Sequence, residues 1–124
     1  MPTIGRVLET SLYVDQIDRS IQFYESLFGF EKLLSDDRFC AFDVRGQQVL
    51  LLFRKGGTTE PVQLPGGILP PHDGEGITHL AFTIAAEQED EWTRALAAAN
   101  VPIESRVQWP RGGFSTDGAK PFPA

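Results

Sequence analysis

The feature that most constrains this chain is a pattern that occurs twice. From Arg6 to Val14 the sequence alternates with period two. Leu8, Thr10, Leu12 and Val14 share one parity; Val7, Glu9, Ser11 and Tyr13 share the other. Such alternation predicts a strand with one apolar face. Ile17, Ile21, Tyr24 and Phe28 then recur at helical spacing, which predicts an amphipathic helix over Ile17–Phe28, closed by Gly29 as a left-handed cap. A shift of 70 residues carries Glu9, Leu12 and Val14 onto His79, Phe82 and Ile84. There a second strand is expected over Ile77–Ile84, with Leu80, Phe82 and Ile84 on one face and His79, Ala81 and Thr83 on the other. A second helix, Glu87–Ala99, turns Trp92, Leu96 and Ala99 inward; Asn100 suits its cap and Pro102 prevents continuation. Two halves that open in the same way would bring Glu9 and His79 to the centre from matching faces.

Between the halves, Phe30–Ser35 reads as an edge strand followed by a turn at Asp36–Asp37. Phe39–Val44 and Gln48–Arg54 read as two further strands joined by a tight hairpin at Arg45–Gly46. The run Val49–Phe53 is apolar on both parities, as a central strand covered on both sides would be. Residues 55–76 are rich in glycine and proline and form a long connection. Ordered loops of this length are often binding or lid elements, and otherwise serve as plain linkers. Ile103–Trp109 reads as another strand, and the remaining residues, PRGGFSTDGAKPFPA, have little strand character.

With 124 residues, 41% of them apolar and 23% charged, the chain has the size and composition of one globular domain. The net charge of −6 and scattered arginines argue against a nucleic-acid or anionic-membrane partner. There is no apolar run of membrane-spanning length and no signal-like start. The single cysteine, Cys40, excludes an intrachain disulfide and lies in an apolar strand without a basic partner, which reads as packing. The expectation is a cytoplasmic protein with a small-molecule ligand.

The segment LETSLYVDQIDRSIQFYESLFGF, with Asp15, Ser20, Phe23–Tyr24 and Leu27–Gly29 in place, resembles the opening strand and helix of the glyoxalase/bleomycin-resistance/extradiol-dioxygenase (vicinal-oxygen-chelate) superfamily. GEGITHLAFTI resembles the opening strand of that family's second half. VLLLFRKG, PGGILPPHDGEG and VPIESRVQWPRGG are also similar to one branch of it. The resemblance covers about Val7–Gly113. It implies an α+β fold of paired βαβββ modules whose curved mixed sheets form a cleft, commonly as a homodimer. The first module would span about residues 6–54, the connection 55–76 and the second module about 77–113, with a divergent tail over 114–124. It also implies a divalent metal, of Mn, Fe, Ni or Zn type, that binds adjacent oxygens of a small molecule. The family's metal positions fall on Glu9 and His79, and a third position used by glyoxalase I falls on or near Leu51, which cannot ligate. The family's final strand bears a ligating Glu, whereas no Glu follows Gly113 here. The closing strand of the second module is therefore expected to be missing or altered, which would leave a sheet edge open to pairing with another chain.

Taken by their residue types alone, the candidates keep plain alternatives. Glu9 suits a solvated strand face as well as a metal or base role, and His79 suits a hydrogen-bonded core position. His72 sits in the long connection, where it could act as a lid or acid/base residue or simply be solvated. Ser11, Tyr13, Arg54, Trp109 and Arg111 are candidate substrate contacts, although surface arginines are commonly only solvated. Tyr13, Phe42, Phe53, Phe82 and Trp109 are candidate pocket walls. Two functions follow: a metal-dependent lyase, isomerase or dioxygenase, or a metal-free small-molecule binder of bleomycin-sequestering type. An altered gene product with partial or no function is a third reading.

Overall fold

The computed structural model describes residues 1–106 and the backbone of Phe114–Thr116. The chain forms two compact units that divide between Gly76 and Ile77.

The first unit carries β1 (Glu9–Val14), α1 (Ile17–Phe28), β2 (Glu31–Ser35), β3 (Phe39–Val44) and β4 (Gln48–Arg54), the expected βαβββ order. These strands make one mixed sheet in the order β1-β4-β3-β2; β1 and β4 run parallel and the other pairs antiparallel. The expected first strand is shortened to Glu9. A ladder needs a partner, and β4 begins only at Gln48, so the last bond at this end runs from the Val49 N–H to the Leu8 carbonyl. The β3–β4 turn is the tight hairpin expected. Arg45 and Gly46 both take positive φ, and the Gln47 N–H returns to the Val44 carbonyl at 3.1 Å. At the end of α1, Gly29 adopts φ 67° and donates its N–H to the Glu25 carbonyl.

One face of the sheet is sealed by α1. Leu12, Val14, Cys40, Phe42, Leu50 and Leu52 lie under Ile17, Ile21 and Tyr24, all buried. Each such aliphatic or aromatic side chain contributes roughly 1.5–3 kcal/mol on burial. Phe42 is therefore core and not a pocket wall, because its register with Leu50 turns it toward the helix side. β4 is central, as expected, but Val49, Leu51 and Phe53 on its other parity stay half-buried, so that face is not sealed.

The connection over residues 55–76 is more structured than its composition implies. Val62–Leu64 (β5) and Gly67–Leu69 (β6) form a short hairpin about Pro65–Gly66. Three-residue strands are too short to show a period.

In the second unit a 3-10 turn, Ala86–Gln88, leads into α2 (Glu89–Ala98). Leu96 is buried and Trp92 and Ala99 are half-buried, in keeping with the expected stripe. Asn100 takes φ 60°, the conformation of a left-handed cap. β7 (Ile103–Arg106) pairs with β8 (Phe114–Thr116), so the tail holds a strand that its composition concealed. The expected strand over Ile77–Ile84 does not form. These residues belong to no ladder among the described residues, and His79 is exposed. In the first unit the equivalent strand, β1, obtains its ladder from β4; no described strand of the second unit does the same for 77–84.

Candidate functional site

The unsealed face of the first sheet is built from three rows of paired residues: Glu9–Val49–Asp43, Ser11–Leu51–Ala41 and Tyr13–Phe53–Phe39. Successive rows are about 7 Å apart along the strands, so the face grades over roughly 13 Å from carboxylate to aromatic. At the first end Glu9 is exposed. Its row-mate Asp43 is engaged locally, accepting the Gly46 N–H at 3.0 Å. The middle row offers the Ser11 hydroxyl beside apolar neighbours, with Leu51 at its centre.

The third row is an aromatic cluster. Phe53 stacks on Tyr13 at 5.8 Å between ring centroids and on Phe39 at 6.1 Å. The end of the long connection folds onto it. The His72 ring meets Phe53 edge-to-face at 4.5 Å, and its Nδ1 lies 2.8 Å from the Tyr13 hydroxyl. The backbone of His72 is held from both sides by Thr58. The His72 N–H donates to the Thr58 carbonyl at 2.9 Å, and the Thr58 hydroxyl donates to the His72 carbonyl at 2.5 Å. Asp73 accepts the Gly56 N–H at 3.2 Å, tying the two ends of the connection together. Gly74 is required here, since a β-carbon at that position would stand 2.7 Å from Tyr13 Cδ2. His72 is thus exposed to solvent yet anchored on this face.

The other expected site residues are placed as follows. Arg54 ends β4 in register with Val14, on the opposite parity from Tyr13 and Phe53, and is exposed. His79 is exposed in the second unit. Trp109 and Arg111 lie outside the described residues. Cys40 is fully buried, and that burial, with smaller opposing effects of Lys32 (lowering) and Glu25 (raising), pushes its thiol up to about 11. It is no nucleophile at neutral pH. Phe39, Thr58, Asp73 and Gly74 were not singled out in the sequence. Phe39 shares parity with Ala41 and Asp43, but only the register with β4 tells which parity of β3 faces outward.

For a metal, the donor types of Glu9 and His79 fit. A carboxylate oxygen and an imidazole nitrogen suit a borderline divalent ion. Catalytic sites generally present three protein ligands, and no group of three His, Cys, Asp or Glu converges among the described residues. Any further donors would come from outside that set or from solvent.

Comparison with known proteins agrees with this architecture. A metallothiol transferase FosB of Lysinibacillus sphaericus (strain C3-41) is 27% identical over 101 residues, 82% of this chain; the match spans 64% of that relative's length. The crystal structure of lactoylglutathione lyase from Agrobacterium tumefaciens superposes with a TM-score of 0.78 at 30% identity, covering 93% of this chain and 85% of that one. An E126Q variant of the fosfomycin resistance protein FosX from Listeria monocytogenes, in complex with Mn(II) and 1S,2S-dihydroxypropylphosphonic acid, shares the fold. Its TM-score is 0.64 at 17% identity, over 92% of this chain and 84% of that one. Residues 3–113 match the family model described as the Glyoxalase/Bleomycin resistance protein/Dioxygenase superfamily, and the chain belongs to that superfamily.

Proposed function

We propose that this protein is a metal-assisted enzyme acting on a small molecule with adjacent oxygens, by lyase, isomerase or dioxygenase-type chemistry, with Glu9 and His79 as metal ligands. The observation that carries the reading is the exposed carboxylate of Glu9 at one end of an unsealed sheet face, in a chain of this superfamily. The likeness to a lactoylglutathione lyase at 30% identity supports chemistry of the lyase type, and the likeness to a FosX structure complexed with Mn(II) supports a divalent ion, of Mn, Fe, Ni or Zn type in this proposal. Such an ion, when bound, polarises two neighbouring substrate oxygens. The chain's own residues do the rest. Ser11 offers a hydroxyl beside the carboxylate. Phe39, Phe53 and Tyr13 form an apolar wall that excludes water from the far end of the substrate. His72 holds or releases a proton at its ring nitrogen, and Glu9 is the second candidate base. Arg54, Trp109 and Arg111 complete the proposed substrate contacts. The working unit in this proposal is a cytoplasmic homodimer.

A second reading is favoured by the short donor set: a metal-free binder, in which Glu9 and the aromatic row hold a ligand directly. The two separate on metal content per chain in protein purified without chelator, compared with Glu9→Ala and His79→Ala. About one metal per chain, lost in both variants, supports the enzyme. A wild type that neither carries nor takes up Mn, Fe, Ni or Zn refutes it and leaves the binder.

A further inference from the structure

We infer that Tyr13 is a positioning residue that fixes His72 as a hydrogen-bond donor through Nε2, so that the aromatic end of the face takes a ligand with a carbonyl or carboxylate oxygen next to a planar apolar group. This rests on the proposed reading only in taking the unsealed face as the ligand face; it requires no metal.

The direction of the 2.8 Å contact between Tyr13 and His72 follows from the groups themselves. A phenol O–H is a stronger donor than a neutral imidazole N–H, and an imidazole nitrogen is a better acceptor than a phenol oxygen. The Tyr13 hydroxyl therefore donates to Nδ1, and the single proton of the neutral ring sits on Nε2. Neither partner is free to drift from this arrangement. Tyr13 is set on β1 between its row-mate Phe53 and the backbone of Gly74. His72 is held by two hydrogen bonds from its backbone to Thr58, one to the carbonyl and one from the hydroxyl, and by the T-shaped contact with Phe53. The result is one pre-aimed donor on an exposed residue, beside the half-buried rings of Tyr13, Phe53 and Phe39.

Among the described residues, the cations at this end have other placements. Lys55 is paired with Asp15 at 3.3 Å, Arg38 lies 3.8 Å from Asp36, and Arg54 falls on the other parity of the sheet. An acceptor oxygen placed here meets the His72 N–H, and a flat apolar group meets the rings. Such a pairing selects for shape and acceptor position, where a cation would select for charge alone.

The test uses the full chain and benzoate as the probe, which joins a planar ring to a carboxylate. His72 and His79 are the only two histidines, so the ring-nitrogen NMR spectrum contains two imidazoles and His79 is an internal reference. At about pH 8, in the full chain freed of any bound metal by chelator so that His79 ligates nothing, wild-type His72 is expected as the Nε2–H tautomer alone while His79 shows a mixture. In Tyr13→Phe, His72 moves to a mixture like that of His79, and benzoate affinity falls about threefold to tenfold, the loss of one oriented hydrogen bond. In His72→Ala the benzoate response at the aromatic row is lost. A wild-type His72 with the same mixed tautomers as His79 overturns the proposal without any variant. Benzoate shifts that bypass His72, or that persist unchanged in His72→Ala, overturn the ligand assignment. Loss of metal binding in Glu9→Ala would leave all these results standing, so the two proposals fail independently.

Discussion

Replacing Gly74 by alanine perturbs the aromatic end of the face at its tightest point. The added β-carbon would stand 2.7 Å from Tyr13 Cδ2, 3.0 Å from Cε2 and 3.3 Å from Cγ. Carbon atoms rest about 3.5–4.0 Å apart, so the two groups must separate by about 1 Å. The contact is with the body of a ring fixed on β1, not with the tip of a flexible side chain, and two outcomes follow. Either the ring is displaced, which breaks the 2.8 Å bond to His72, or the connection lifts, which also loosens the Asp73–Gly56 bond. Overpacking of this kind costs about 1–3 kcal/mol, and one surrendered hydrogen bond adds about 0.5–1.5 kcal/mol. Gly66 is the matched control, because a β-carbon there meets nothing within 4 Å. Urea unfolding should show Gly74→Ala destabilised by about 1.5–4.5 kcal/mol and Gly66→Ala unchanged or slightly stabilised. Near-ultraviolet circular dichroism should change in the first variant alone. Equal midpoints for the two variants would refute the packing of His72–Gly74 against Tyr13.

The sealed side of the sheet makes a contrasting prediction: Leu52→Ala, at a site with no exposure, should cost about 2–5 kcal/mol in urea unfolding, while Leu34→Ala, 63% exposed, should stay within about 0.5 kcal/mol. Comparable losses for the two would mean that α1 does not cover the face assigned to it. Tyr24 and Cys40 contribute to stability at alkaline pH, since burial raises them from 10.0 to about 12 and from 9.0 to about 11. The fold favours their neutral forms, so their contribution is complete below about pH 9 and is lost as pH rises toward about 12. The urea midpoint should fall over that window, and less so in Tyr24→Phe; a midpoint flat to about pH 11 in the wild type would contradict the burial of both groups.

Much of the first unit was legible because its signals are local. Ile17, Ile21 and Tyr24 announce the buried stripe of α1 by spacing alone, Gly29 marks its end, and Arg45–Gly46 marks the β3–β4 turn. Parity also put Glu9, Ser11 and Tyr13 on one face. What stayed hidden depends on partners. Residues 6–8 have the alternation of a strand but, apart from the Leu8 carbonyl, join no described ladder, and Ile77–Ile84 alternates equally well yet joins none either. The β5–β6 hairpin lay beneath a density of proline and glycine that reads as loop. At the site, Tyr13 and His72 are 59 positions apart, and nothing in either segment points to the other. Phe39 and Phe42 looked alike as aromatic residues of β3; only the register with β4 sends one outward and the other into the core.

The most direct test of the account is a Mn(II) titration followed by electron paramagnetic resonance, in which the six-line signal of the free ion disappears on binding. The wild type should quench about one equivalent per chain, and Glu9→Ala should leave the free-ion signal intact while retaining the wild-type unfolding midpoint. If the wild type leaves the signal untouched, or Glu9→Ala quenches it as fully as the wild type, then Glu9 is not a metal ligand and the function assigned to the unsealed face is wrong.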